Sequence, residues 1–139
     1  MANNESTSGN TLTANDLQGI INDKSVKIHK IEEDIAKLKQ AIQDIDRAKD
    51  YFRHSAEDIK TLQYEAEFIF KGRSADAFMD KLKNYRKFCK ARVECLDILR
   101  NNYEKQIEDL NMQKVWAERI SAFLKDQMER LRNIEVRGK

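Results

Sequence analysis

Residues 28–45 read Ile28-His29-Lys30-Ile31-Glu32-Glu33-Asp34-Ile35-Ala36-Lys37-Leu38-Lys39-Gln40-Ala41-Ile42-Gln43-Asp44-Ile45. The large apolar side chains recur at alternating spacings of three and four. At 3.6 residues per turn, such positions share one stripe, the seam of a heptad helix. The stripe extends in both directions. Leu17 and Ile21 precede it, and Phe52, Ala56 and Ile59 follow. Lys49 interrupts it, then Leu62, Ala66 and Ile69 carry it on. The spacing predicts a first helix over about 16–69. Thr13 or Asn15 supplies an N-cap, with Asp16 at the electropositive end. Residues 1–15, rich in Asn, Ser and Thr, read as a disordered polar tail.

A second stripe begins after Gly72. Leu82, Cys89, Leu96, Tyr103, Leu110, Ala117, Leu124 and Leu131 fall at seven-residue intervals. Its expected companion row is Phe78, Tyr85, Arg92, Leu99, Gln106, Gln113, Ile120, Gln127 and Ile134. Val93, Ile107 and Met128 fill in from the neighbouring position. The second helix is expected over about 75–133, with a break near 111–114 as the alternative. Gly72 is the terminator of the first helix, and Ser74 reads as the N-cap of the second. The turn is placed at 70–74. The expected fold is all-α: an elongated antiparallel helical hairpin, coiled-coil-like, over residues 16–139 as a single domain. A lone hairpin buries one stripe per helix, so a partner is expected to complete a bundle.

Composition agrees. The 139 residues include no proline and four glycines, with 36% charged residues against a usual ~25%. Sandwiches, barrels and doubly wound sheets need many more turn residues, which excludes them. Net charge is +2, but residues 1–69 hold 9 basic and 13 acidic residues, and residues 70–139 hold 17 and 11. These halves complement each other, as two antiparallel segments would. Cys89 and Cys95 read as free thiols that are at least half-buried, being too far apart on one helix for a bridge. No apolar run of membrane-spanning length exists, and no cleavable signal peptide is read at the N-terminus.

Several constellations carry chemistry or binding. Lys81, Lys83, Arg86, Lys87, Lys90 and Arg92 crowd twelve residues, with Tyr85 and Phe88 between them. Lys83, Arg86, Lys87 and Lys90 form a docking stripe, or a solvated face paired with the acidic first helix. Trp116, with Ile120, Phe123 and Leu124, is an interface anchor or bundle core. The candidate partner-interface residues are Ile28, Ile31, Ile35, Leu38, Ile42, Ile45 and Phe52 on the first helix. On the second they are Leu82, Tyr85, Leu96, Leu99, Tyr103 and Trp116. No Glu-x-x-His motif, catalytic triad or phosphate loop is present, so no enzyme, metal, cofactor or small-molecule substrate is expected.

Phe70-Lys71-Gly72, followed by Ala75, Ala77 and Phe78, resembles the hallmark of the WXG-type (ESAT-six-like) small proteins of type VII secretion. There an aromatic-x-Gly turn joins two helices, and a small residue and a Phe open the second. The layout is most similar to the YwqH-like partner proteins encoded beside LXG-type toxins in Gram-positive bacteria. The resemblance covers about residues 20–112. It implies a turn motif of Phe70, Gly72, Ala75 and Phe78. It also implies a targeting factor or chaperone that binds the helical N-terminal domain of an LXG-type toxin, or a second small hairpin. Such a protein would sit in the bacterial cytoplasm or leave with its cargo. Three features depart from the pattern: Phe70 replaces the usual Trp, the chain is longer, and no Tyr-x-x-x-Asp/Glu export signal follows. The alternatives are a self-assembling coiled coil, a homodimer included, and a basic helix that binds nucleic acid or a membrane surface. Nucleic acid is disfavoured by a pI near 8.5.

Overall fold

Thr13 and Asp16 open the first helix by capping each other. The Asp16 backbone N–H donates to Thr13 Oγ1 at 3.1 Å, and the Thr13 N–H donates to Asp16 Oδ2 at 2.9 Å. Two orphan donors of the first turn are thereby satisfied. The bond from the Thr13 backbone N–H, and after it the Thr13 side-chain hydroxyl, hold the Asp16 carboxyl below its ordinary pKa. The computed structural model describes residues 12–69 and 72–137. Helix α1 spans Ala14–Ile69 and helix α2 spans Arg73–Arg137. The fold is all-α, a hairpin of two helices packed against each other.

The helix ends differ slightly from expectation. With Thr13 as cap, α1 begins at Ala14, and it runs through Gly19 without a break. Residues 1–11 of the expected tail lie outside the described residues. At the reversal, Gly72 has φ of 109°, in the left-handed region. Its carbonyl accepts from the Asp76 N–H at 3.0 Å. Gly72 therefore takes the cap position expected for Ser74, and Ser74 lies inside the first turn of α2. Phe70 and Lys71 lie outside the described residues. α2 passes unbroken through 111–114 to Arg137, so residues 114–133 belong to it.

The chain divides into two compact units, Met1–Ala36 with Glu108–Lys139, and Lys37–Ile107. In the first unit, Ala14, Leu17 and Ile21 of α1 pack with Met128 of α2, joined by Leu124 and Leu131. Ile31, Ile35, Ala117 and Ser121 are also buried there. Lys114 Nζ lies 3.3 Å from Glu32 and 3.9 Å from Glu118. In the second unit, Ile45, Ile59 and Ala66 of α1 are buried, as are Ala75 and Cys89 of α2. Two ion pairs join the helices in this unit. Arg100 Nε lies 2.9 Å from Asp46, while Arg100 also pairs with Glu104 and Lys49 pairs with Asp97.

On α1 the seam follows the expected row through Ala56 and Ile59. Beyond that Ala66 is buried as expected, but Leu62 and Ile69 are exposed and Gln63 takes an inward position. Continuing the alternation of three and four from Ile59 leads to 63 and 66, so the heptad is kept at the expense of the apolar residues.

α2 shows the larger correction. Its seven-residue row from Leu82 to Leu131 is buried or half-buried as expected. Apart from the half-buried Gln127, the expected companion row is turned outward: Phe78, Tyr85, Arg92, Leu99, Gln106, Gln113, Ile120 and Ile134 are exposed. The inward companion row sits one residue later, at Met79, Arg86, Val93, Arg100, Ile107, Lys114, Ser121 and Met128. Three of these residues are cations. Long aliphatic stems cover the seam while the charged heads reach its edge. For Arg100 and Lys114 the heads meet Asp46 and Glu32 on α1.

Candidate interaction surface on the second helix

The placement of the sequence-derived candidates separates two roles. Ile31, Ile35 and Ile45 are buried in the seam, and Ile28, Leu38, Ile42 and Phe52 are half-buried there. Leu82, Leu96 and Tyr103 on α2 are half-buried in the same way. These ten residues pack the hairpin itself. Tyr85, Leu99 and Trp116, expected beside them, are exposed. Of the turn motif, Ala75 is buried and Phe78 is 39% exposed, while Phe70 lies outside the described residues.

The basic stripe also divides. Arg86 is half-buried on the seam, which corrects its place in a docking stripe. Lys83, Lys87 and Lys90 are exposed on one flank of α2. Among the described residues none of these three has an acidic partner, so pairing with α1 does not account for them. Tyr85, Phe88 and Arg92 lie on the other flank. At 100° per residue the two flanks point in different directions around the helix.

In the second unit that aromatic flank is continuous. Tyr85 and Phe88 have ring centroids 6.0 Å apart, and the Arg92 guanidinium lies 4.9 Å from the Phe88 centroid. Such a stacked cation keeps its charge available while covering part of the ring. Leu99 and the thiol of Cys95 are exposed on the same flank, whereas Cys89 is 1% exposed in the seam. Both thiols are free as expected, but Cys95 is exposed where the sequence predicts at least half-burial.

The first unit carries a second patch on α2. Met112, Trp116, Ile120 and Phe123 are exposed, Trp116 by 59% and Phe123 by 62%. The Arg119 guanidinium lies 5.7 Å from the Trp116 ring centroid. A groove of about 470 Å³ opens beside this patch, lined on the α1 side by Lys24 and Lys27. Trp116 is thus surface rather than core of the hairpin.

The sequence reading puts Tyr85 and Leu99 in the seam and takes Trp116 as an interface anchor or bundle core. It missed Arg92 and Cys95 as surface neighbours of Phe88. The signal was present, since all lie three, four or seven residues apart. Among the described residues no three His, Cys, Asp or Glu side chains gather to hold a metal ion. No helix of the described residues is long and apolar enough to cross a membrane. Comparison with family models, curated proteins and solved structures finds no match for this chain.

Proposed function

We propose that this protein is a non-enzymatic interaction module: a helical hairpin that completes a bundle with a helical partner. The partner we assign is the helical N-terminal domain of an LXG-type toxin, for which the hairpin acts as targeting factor or chaperone. The observation that carries the reading is that each unit leaves apolar side chains of α2 outside the seam: Tyr85, Phe88 and Leu99 in the second unit, and Trp116 and Phe123 in the first. Exposed aromatic rows of this kind serve as interaction surfaces. The resemblance of Phe70-Lys71-Gly72 and Phe78 to the WXG-type pattern supports the choice of partner.

The test is co-expression with an LXG-toxin N-terminal domain, followed by affinity capture and light scattering on the eluted species. A stoichiometric complex is the expected result. A stable homodimer that ignores the toxin domain defeats the proposal.

A further inference from the structure

The flank of α2 in the second unit has its own heptad. Tyr85, Arg92 and Leu99 recur at seven-residue intervals, and so do Lys81, Phe88 and Cys95, three positions out of step with the first row. Both rows lie outside the seam that packs against α1, about a quarter turn around the helix from it. A helix with two such seams at that angle is the arrangement of a bundle member with two helical neighbours. Among the described residues only one neighbour, α1, is supplied.

The charge of the flank says what the second neighbour is like. No Asp or Glu lies on it between Ala77 and Asn102. The acids of this stretch, Asp80, Glu94 and Asp97, fall on other faces at 100° per residue. The only charges on the flank are Lys81 and Arg92, eleven residues apart, which is roughly 16 Å along the axis. Lys81 has no acidic partner among the described residues, and the contact of Arg92 is the Phe88 ring. An apolar strip bearing two cations and no anion complements an apolar strip bearing anions.

We infer that this flank of α2 docks one amphipathic helix of another protein, whose apolar row is bordered by carboxylates that meet Lys81 and Arg92. This deepens the proposed function, because it names the surface and the chemistry of the helix received. The period favours a helix over a nucleic acid, since phosphates do not need apolar knobs at heptad spacing.

Cys95 is a native reporter of occupancy: exposed, on the flank, and distinct from the buried Cys89. The experiment measures maleimide labelling of Cys95 in the full chain, with slow Cys89 labelling as the check on folding. Three probes are added separately: an LXG-toxin N-terminal domain, a synthetic helix of Leu heptads flanked by Glu, and its Lys-flanked twin. Like charges keep each peptide from pairing with itself. The toxin domain and the Glu-flanked peptide should each slow Cys95 labelling by roughly tenfold or more. The Lys-flanked peptide should not. The double variant Lys81→Glu, Arg92→Glu should reverse that preference.

If the toxin domain binds and Cys95 labels at its free rate, the surface is wrong while the proposed function stands. If the toxin domain fails to bind but the Glu-flanked peptide protects, the surface stands and the toxin falls. Equal protection by both peptides overturns the charge argument. Protection by neither peptide nor toxin domain overturns the inference. So does protection by duplex DNA alone, or protection that appears with protein concentration alone and marks a second copy.

Discussion

Lys49 of α1 and Asp97 of α2 form an ion pair at the hairpin seam, with the Lys49 side chain 12% exposed and that of Asp97 46% exposed. The lysine stem fills a heptad position that an apolar residue would otherwise take, and its ammonium emerges where Asp97 meets it. Removing the acid leaves the ammonium at the seam without its partner, whereas removing the lysine leaves the acid in contact with water. Asp97→Ala should therefore lower the melting temperature by a few degrees, and Lys49→Met should hold or raise it. Thermal melts followed by circular dichroism decide this. Equal losses in both variants would count against an asymmetric pair.

Acid should act through the same pair and through the first cap. The Asp97 carboxyl is held below its ordinary value of 3.8 by the hydrogen bond from Lys49. That of Asp16 is lowered by its bonds from Thr13. A carboxyl depressed on folding contributes stability that is complete above its unfolded pKa of about 4 and disappears as pH falls through its folded one. The melting temperature should hold between pH 7 and 5 as far as these groups decide, then fall below about pH 4. Asp97→Asn should start lower and fall less steeply. Parallel wild-type and variant curves from pH 7 to 2 would exclude this origin.

The two described glycines should respond in opposite directions. Gly72 has φ of 109°, and a Cβ there would meet nothing within 4 Å, so only backbone strain opposes substitution. Gly72→Val should cost at least ~1 kcal/mol. Gly19 lies in helical backbone, again with nothing within 4 Å of an added Cβ. Gly19→Ala should stabilise by roughly 0.5–1 kcal/mol. Urea unfolding of both variants is the check.

The N-terminal cap has a measurable weight. Thr13→Ala removes the acceptor at 3.1 Å from the Asp16 N–H. A loss of about 1 kcal/mol is expected, with Thr13→Ser largely preserving the cap. Early amide exchange confined to the first turns of α1 should accompany the alanine variant.

Seam and flank should separate stability from binding. Leu17 is 4% exposed in a packed cluster, and Phe123 is 62% exposed. Leu17→Ala should cost about 2–5 kcal/mol, and Phe123→Ala should stay within about 0.5 kcal/mol of wild type. If Phe123→Ala unfolds the protein, this side chain is core and not surface.

The helices themselves were legible in the sequence. Ile28 to Ile45 and Leu82 to Leu131 carry the heptad openly, and the scarcity of Gly and Pro leaves Gly72 as the place to reverse. A period of this kind is a local property, set by 3.6 residues per turn and by the need to bury one stripe.

What only the tertiary structure decided is which flank of α2 turns inward beside the Leu82 row. By hydrophobicity the row of Phe78, Tyr85 and Leu99 is the better candidate. The row of Arg86, Arg100 and Lys114 occupies the seam instead. The reason lies on α1. Within the second unit Asp46 and Arg100 are equally far in sequence from Arg73, 27 residues each, and they meet. In the first unit Glu32 and Lys114 stand 41 residues from Arg73 on either side, and they meet too. Antiparallel register brings Arg100 and Lys114 each to an acid, and their aliphatic stems do the covering. No pattern read along one helix contains that pairing, because it depends on what the other helix places opposite. The same choice turns the aromatic flank outward, where it becomes the surface on which the function is proposed.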